Sequence, residues 1–436
     1  MAANSGLFYG YPIMATDIDV QYFSHLNGLT LGNNWGDLIR LLDTCLVNGL
    51  PLTSITSASI DPQGDITLNL YAAHNCMLFQ IIELTGFTPA DLNGKYRIKG
   101  VPSANQLILK ATHAGKSINT TGSAKLASLG YEIVFRDVND VKRVYRAKNP
   151  TTQHPFIRVD ESLTNLSGVT GAYDVNYARY AMVGLLEHME HIDDYENPEV
   201  LQLPFDPANP AKNWKIVGNG TTVVRGWSRW YFATDNVPYF NSSGTSAGSS
   251  GARLFTLTGG ADCFYLNRGL TPSNGVKYIS GAGLFNESID SSVIPNWFLM
   301  TYMSLSGANG GMSPSGVSGG EPLAYDSDKS AFFTPKYDLY TKLTNHTFGY
   351  PIMPDFRTGN TGLYNTPALA PLEIPFYDSN KYLRGSLKHI LYCGDIQNES
   401  KQQTTPIIRG NSMFIYDSID LTGFAGGVYF YLGGLE

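Results

Sequence analysis

From Thr53 onward, apolar residues recur at every second position in short runs, and this period constrains the fold more than any other feature. Ile66, Leu68 and Leu70 alternate with Thr67 and Asn69, and Tyr96 and Ile98 alternate with Lys95, Arg97 and Lys99. Leu107 with Leu109, and Tyr131, Ile133 and Phe135, repeat the pattern. A period of two places one set of side chains on each face of a strand, so these are half-buried antiparallel strands, apolar inward and polar outward. Turn residues such as Asn93-Gly94 and Pro102-Ser103-Ala104-Asn105 separate them. Short strands at this spacing make a small β-barrel or sandwich over 53–150.

One segment keeps the helical period instead. Leu38, Ile39, Leu41, Leu42, Cys45 and Leu46 form a stripe at i, i+3, i+4 and i+7, with Asn34 or Asp37 available as N-cap and Asn48-Gly49 as the stop. The residues before it contain no recognisable element and read as an extended arm that docks on a neighbour, so removing residues 1–32 should leave a folded chain. Ala178, Met182, Leu185, Met189 and Ile192 carry a heptad stripe. Gly184 lies inside that short run, so 174–194 reads as helix or strand. The Pro-rich stretch 198–210 reads as a linker. Beyond it, strand-like runs at 227–234, 253–258, 262–266, 278–284 and 297–305 alternate with Gly/Ser/Asn loops, the longest at 241–251 and 306–320. At the end, Val428, Phe430 and Leu432 fall on one face and Tyr429 and Tyr431 on the other.

At about 150 residues per domain, 436 residues suggest roughly three domains. The divisions read here are an N-terminal arm and helix (1–52), a small antiparallel β domain (53–150), a connecting segment (151–212) and a C-terminal β-rich domain with long loops (213–436). The fold class is mainly β. Only 15% of residues are charged, while 27 Tyr and 21 Phe raise the aromatic share to 12%. Disordered chains have the opposite balance. Ser, Thr, Asn, Gly and Tyr must cover the surface, as in β proteins with polar loops or chains that hide surface in an assembly. The net charge of −7 argues against nucleic-acid binding. No apolar run reaches the length of a membrane-spanning helix, and MAANSGLFYGYPIM has no secretion-signal pattern.

The side chains that might do chemistry lack the spacing it needs. Glu187, His188, Glu190, His191, Asp193 and Asp194 cluster, yet the two imidazoles are i, i+3 and no third ligand is evident. A solvated polar face is the simpler account. Cys45, Cys76, Cys263 and Cys393 are isolated, as core fillers in a reducing cytosol would be. His25, His74, His113 and His154 are single, and read as structural. Lys142, Arg143, Arg146 and Lys148 interleave with Val141, Val144 and Tyr145 as the exposed face of a strand would. Asp160, Glu161, Glu321 and Glu373 are carboxylates available for glycoside cleavage, with no signature that pairs any two. No catalytic, cofactor-binding or metal residue is therefore assigned, and an enzyme is not expected.

Four segments resemble virion structural proteins of tailed bacteriophages, of the tail, baseplate or neck type. They are GDLIRLLDTCLVNGLP (36–51), LNGKYRIKGVPSANQLIL (92–109), LGYEIVFRDVNDVKRVYRA followed by FIRVDES (129–147 and 156–162), and YLRGSLKHILY (382–392). In the last, His389 stands where the resembling pattern has Gly. The resemblance implies a non-enzymatic building block of a virion, made in the host bacterial cytoplasm. It would act as a symmetric homo-oligomer docked to other virion proteins, with no nucleic acid, membrane span or cofactor. Aromatic abundance leaves a receptor- or glycan-binding tail fibre or tailspike, even a glycosidase, as an alternative. A neck, collar or head-associated protein is another.

Overall fold

The computed structural model describes residues 17–164, 173–217, 224–235, 247–272, 277–289, 294–303, 332–338, 340–352, 372–392, 404–418 and 427–435. The protein is mainly β, with several antiparallel sheets and one short helix near the N-terminus.

The alternating segment forms a small barrel. Its sheet runs in the order Leu50–Pro51, Ser123–Leu126, Ile81–Thr85, Gly94–Ser103, Gln106–Leu109, Ile66–Leu70, Ile55–Ile60. The two outermost strands are neighbours in sequence: the chain leaves one edge at Pro51 and joins the other at Ile55, so the sheet curls round to bring its edges near one another. Ile66, Leu68, Ile82, Leu84, Ile98, Leu107, Leu109 and Leu126 fill it, each at most 1% exposed. Of these, Ile66, Leu68, Ile98, Leu107 and Leu109 are positions the alternation names.

The helical stripe folds as Asp37–Leu42 and continues in a wider turn over Asp43–Asn48. Its apolar side chains join the core that the barrel shares with the adjoining sheets. The N-cap is Gly36, in the left-handed conformation at φ 85°, and not Asn34 or Asp37. The start of the helix is held from outside by the fully buried Glu161. Its Oε1 accepts the Ile39 N–H at 3.0 Å and its Oε2 accepts the Gly36 N–H. Burial pushes this carboxyl up to about 8, against the pull of the two N–H groups. Such a group stabilises the fold fully below its unfolded value of about 4.5, and that contribution is lost as pH rises through about 8. In thermal unfolding between about pH 5 and 9, wild type is expected to lose stability with rising pH and Glu161→Gln to give a flatter profile. Parallel profiles would refute this role.

Residues before the helix are not a free arm where the structure describes them. Gln21–Ser24 is a strand paired with Phe255–Gly259, and Tyr22 and Phe23 are fully buried. The Gln21 amide donates to the Ile81 and Ala127 carbonyls and accepts the Ile81 N–H, each at 2.9 Å. This ties the strand to the barrel, so removing residues 1–32 would take out core. Residues 1–16 of the expected arm lie outside the described residues.

A second sheet has the order Gln202–Leu203, Arg179–Leu186, Phe156–Asp160, Lys142–Ala147, Tyr131–Arg136, with Arg229–Ala233 also on Arg179–Leu186. It continues across position 150. Arg179–Leu186 is the ambiguous run, and it is a strand. Ala181, Val183 and Leu185 enter one core, and Tyr180, Met182 and Leu186 another. A strand buried on both faces loses its alternation, which is why it mimics a helical stripe. Gly184 is needed for packing, since a Cβ there would lie 2.6 Å from the Trp214 ring. The expected linker is also structural: Leu201, Leu203 and Phe205 are buried, and Gln202–Leu203 pairs with the sheet.

The largest sheet runs Gln21–Ser24, Phe255–Gly259, Cys263–Gly269, Lys277–Leu284, Trp297–Met303, Phe332–Pro335, His346–Pro351, Leu372–Asp378, Leu383–Tyr392, Gly427–Gly434, Ser412–Ser418, Thr405–Arg409. Asn286–Glu287 adds to Leu383–Tyr392. A twisted sheet of this width does not stay flat. Here its two ends face one another. Thr404 meets Ser24 at 2.9 Å and Thr256 at 2.5 Å, Asn267 meets Asp417 at 2.7 Å, and the rings of Tyr265 and Phe430 are 6.3 Å apart. Between the layers lies a core containing Tyr22, Phe298, Met300, Phe376, Ile415, Val428, Phe430 and Leu432. Tyr429 and Tyr431 project from the opposite face, with Phe414 and Tyr416. The terminal alternation thus assigns both faces correctly.

Candidate functional site

The site is built on an irregularity in Leu383–Tyr392. Glu373 pairs with Leu391 and Pro375 with Ser386, leaving Leu387, Lys388, His389 and Ile390 opposite Ile374 alone. Extra residues on one strand bulge out of the ladder and re-aim their side chains. His389 takes φ 62°, a left-handed conformation uncommon outside Gly, Asn, Asp and His. Two residues before the bulge, Gly385 permits a close approach, since a Cβ there would lie 1.8 Å from the Asn286 carbonyl oxygen. Asn286–Glu287 docks on the strand through that gap.

The bulge forms one wall of a pocket of about 520 Å3 lined by Asp262, Asn286, Glu373, Lys388, His389 and Tyr431, with Leu387, Leu391 and Phe414. The Lys388 ammonium donates to Asp262 Oδ2 at 2.5 Å, and His154 Nε2 lies 3.0 Å from Asp262 Oδ1. The hydrogen bond from His154, helped by Lys388 and opposed by partial burial, holds the Asp262 carboxyl well below the usual carboxylate range. Burial also holds His389 below the ordinary imidazole range, so its ring is neutral at pH 7. Asn286 and Glu373 are exposed and have no side-chain partner among the described residues.

His154 Nδ1 lies 2.9 Å from the Thr151 hydroxyl, so Thr151, His154 and Asp262 form a line that superficially resembles a nucleophile relay. The same nitrogen accepts the Thr151 backbone N–H at 3.0 Å. One ring nitrogen has one lone pair, and here it closes a turn. That is a structural histidine and not a general base.

The residues singled out in the sequence mostly serve the fold. Lys142 and Arg143 are not on an exposed face: they are 9% and 1% exposed. Lys142 pairs with Asp193 at 2.8 Å, and Arg143 pairs with Asp43 at 3.1 Å and with Asp140. Arg146 stacks over Phe156 at 4.4 Å, and Lys148 is exposed. Arg158 is clamped by Asp160 at 2.9 Å and Asp193 at 2.6 Å, and lies over Trp214 at 4.4 Å. A second pocket of about 460 Å3, beside Arg136, Lys142, Ser162 and Asp193, is lined by ion pairs that are already satisfied.

Glu187, His188, Glu190, His191 and Asp194 sit on a loop after Arg179–Leu186 and not on a helix face. Among the described residues no three His, Cys, Asp or Glu side chains are placed to hold a metal. Of the candidate carboxylates among the described residues, Asp160 pairs with Arg158, Glu161 holds the helix start, and Glu373 lines the 520 Å3 pocket. Glu321, Cys393, the loop 306–320 and most of 241–251 lie outside the described residues. Cys45, Cys76 and Cys263 are buried free thiols.

No protein-family model matches the chain, and no curated protein matches it. Among the described residues, no helix is long and apolar enough to cross a membrane. Asp262, Asn286 and Lys388 carried no signal in the sequence, because each is ordinary alone and they come from strands far apart in the chain.

Proposed function

We propose that this protein is a structural building block of a tailed-phage virion, made in the bacterial cytoplasm, that works by symmetric self-association and docking to other virion proteins. The resemblance of four sequence segments supports this reading. The observation that carries it is an aromatic surface on the largest sheet. Tyr350 and Tyr377 stack with centroids 5.2 Å apart, and Lys381 lies 4.7 Å over the Tyr377 ring. Tyr337 meets Tyr382 at 5.1 Å, and Tyr382 and Leu383 are each 48% exposed. Tyr340, nearby in sequence, is 93% exposed. Tyrosine supplies large contact area at low entropy cost and is enriched at interfaces, whereas clustered exposed aromatics are a liability on an isolated chain.

Sedimentation of the purified chain tests the reading. Wild type is expected to form a discrete oligomer, and the combined Tyr350→Ser, Tyr377→Ser and Tyr382→Ser variant to sediment as a folded monomer. A wild-type chain that stays monomeric at every concentration, or an oligomer indifferent to the triple substitution, would overturn it.

A further inference from the structure

We propose that the pocket at the Leu387–Ile390 bulge binds a neutral saccharide ring. The charge pattern selects against anions. Lys388 is already neutralised by Asp262, His389 is uncharged, and Glu373 adds an unpaired negative charge, so no cation is left among the described lining residues for a phosphate, sulfate or carboxylate. Neutral hydroxyls suit the remaining groups: the Asn286 amide both donates and accepts, Glu373 accepts, and the imidazole offers one donor and one acceptor.

The rest of the wall is apolar. Leu391 and Phe414 line it beside Tyr431, with the Phe414 and Tyr431 rings 5.5 Å apart. A pyranose presents a face of C–H groups to such rings and a rim of hydroxyls to the polar side, the mixture that small-ligand sites use. The volume, about 520 Å3, lies within the range of about 300–1,000 Å3 found for such sites. The bulge and the left-handed His389 give the pocket its shape, and both are costly departures from a regular ladder of the kind that cluster at functional sites. The proposal does not depend on the assembly role, because the pocket lies within one chain.

Saturation-transfer NMR on the purified full chain, with glucose, galactose and N-acetylglucosamine as probes and N-acetylneuraminic acid as charged comparator, tests it. At least one neutral sugar is expected to receive saturation, and the charged sugar none. Asn286→Ala with Glu373→Ala, both at exposed positions that leave the core intact, should weaken binding about tenfold, equivalent to about 1.4 kcal/mol. Tyr431→Ala, checked for folding, should abolish it. The responding sugar offered free and as the end of an oligosaccharide separates the two sources of this chemistry: tighter oligosaccharide binding assigns the site to glycan chains, and equal binding assigns it to free sugar. Silence from every neutral sugar, equal response from the charged one, or binding that survives the double substitution would overturn the proposal. None of these outcomes bears on oligomerisation.

Discussion

Arg97→Met is expected to destabilise the protein by about 3 kcal/mol or more, the largest loss from a single side chain of the barrel. Arg97 is fully buried on Gly94–Ser103 and donates to backbone carbonyls only. Its Nη1 reaches the Val20 carbonyl at 2.9 Å and the Phe79 carbonyl at 2.7 Å. Its Nε reaches the Asp17 carbonyl at 2.7 Å, and its Nη2 reaches that carbonyl and the Leu432 carbonyl, the latter at 3.0 Å. One guanidinium thus joins the N-terminal segment, the barrel and the last strand. Burial lowers its pKa to about 10, far enough above neutral that it stays charged. Methionine fills similar space but strands four carbonyls, at about 1–3 kcal/mol for each buried unsatisfied group that cannot reach water. Lysine has a point charge and three donors in place of the planar fork, so Arg97→Lys should recover only part of the loss. Urea denaturation monitored by tryptophan fluorescence reads both. An Arg97→Met midpoint equal to wild type would show that these bonds do not hold the three parts together.

The second large effect is expected at the junction of the folded-over sheet. Lys277 and Asp417, 1% and 0% exposed, pair at 2.5 Å, and Asn267 donates to the second Asp417 oxygen at 2.7 Å. Asp417→Ala removes the buried carboxylate that pairs with Lys277, a loss that typically costs about 3–5 kcal/mol. The double substitution Lys277→Met with Asp417→Leu removes both charges and should restore most of that stability, leaving chiefly the loss of the hydrogen bond from Asn267, about 1.5–3 kcal/mol. A double-mutant cycle separates the two contributions. Additive losses would mean that the two groups do not interact as a pair.

Both residues show where reading the sequence stops. Arg97 falls on the polar face of an alternating strand, between Tyr96 and Ile98, and nothing nearby distinguishes it from Lys95 or Lys99, which are exposed. Along this strand the alternation reports which face Arg97 takes; along Tyr131–Arg136 it does not, since a register shift sends Phe135 to a different core from Tyr131 and Ile133. The alternation does not report that Asp17, Val20 and Leu432 cover the polar face at Arg97. The same holds for Arg143, expected in solvent and found beside Asp43, and for Gln21, in a segment with no period at all. The candidate pocket was still less legible, because its walls come from positions 262, 286, 373, 388 and 431, each unremarkable in its own neighbourhood.

The sequence alone determined the alternating strands of the first β unit, most of their inward residues and the helical stripe at 38–46, since these follow from chain geometry over a few residues: side chains alternate along a strand and recur every third or fourth position along a helix. The mainly β class and the two faces of the terminal strand rest on that local rule. Tertiary structure alone decided whether the run through Met182 is strand or helix, whether residues 17–33 are free or built in, and which polar side chains lie inside. Each of those outcomes depends on pairing between distant segments, such as Gln21 with Gly259, Ser24 with Thr404 or Lys277 with Asp417. What covers a face is set by the whole folded chain, and no period within a short window encodes it.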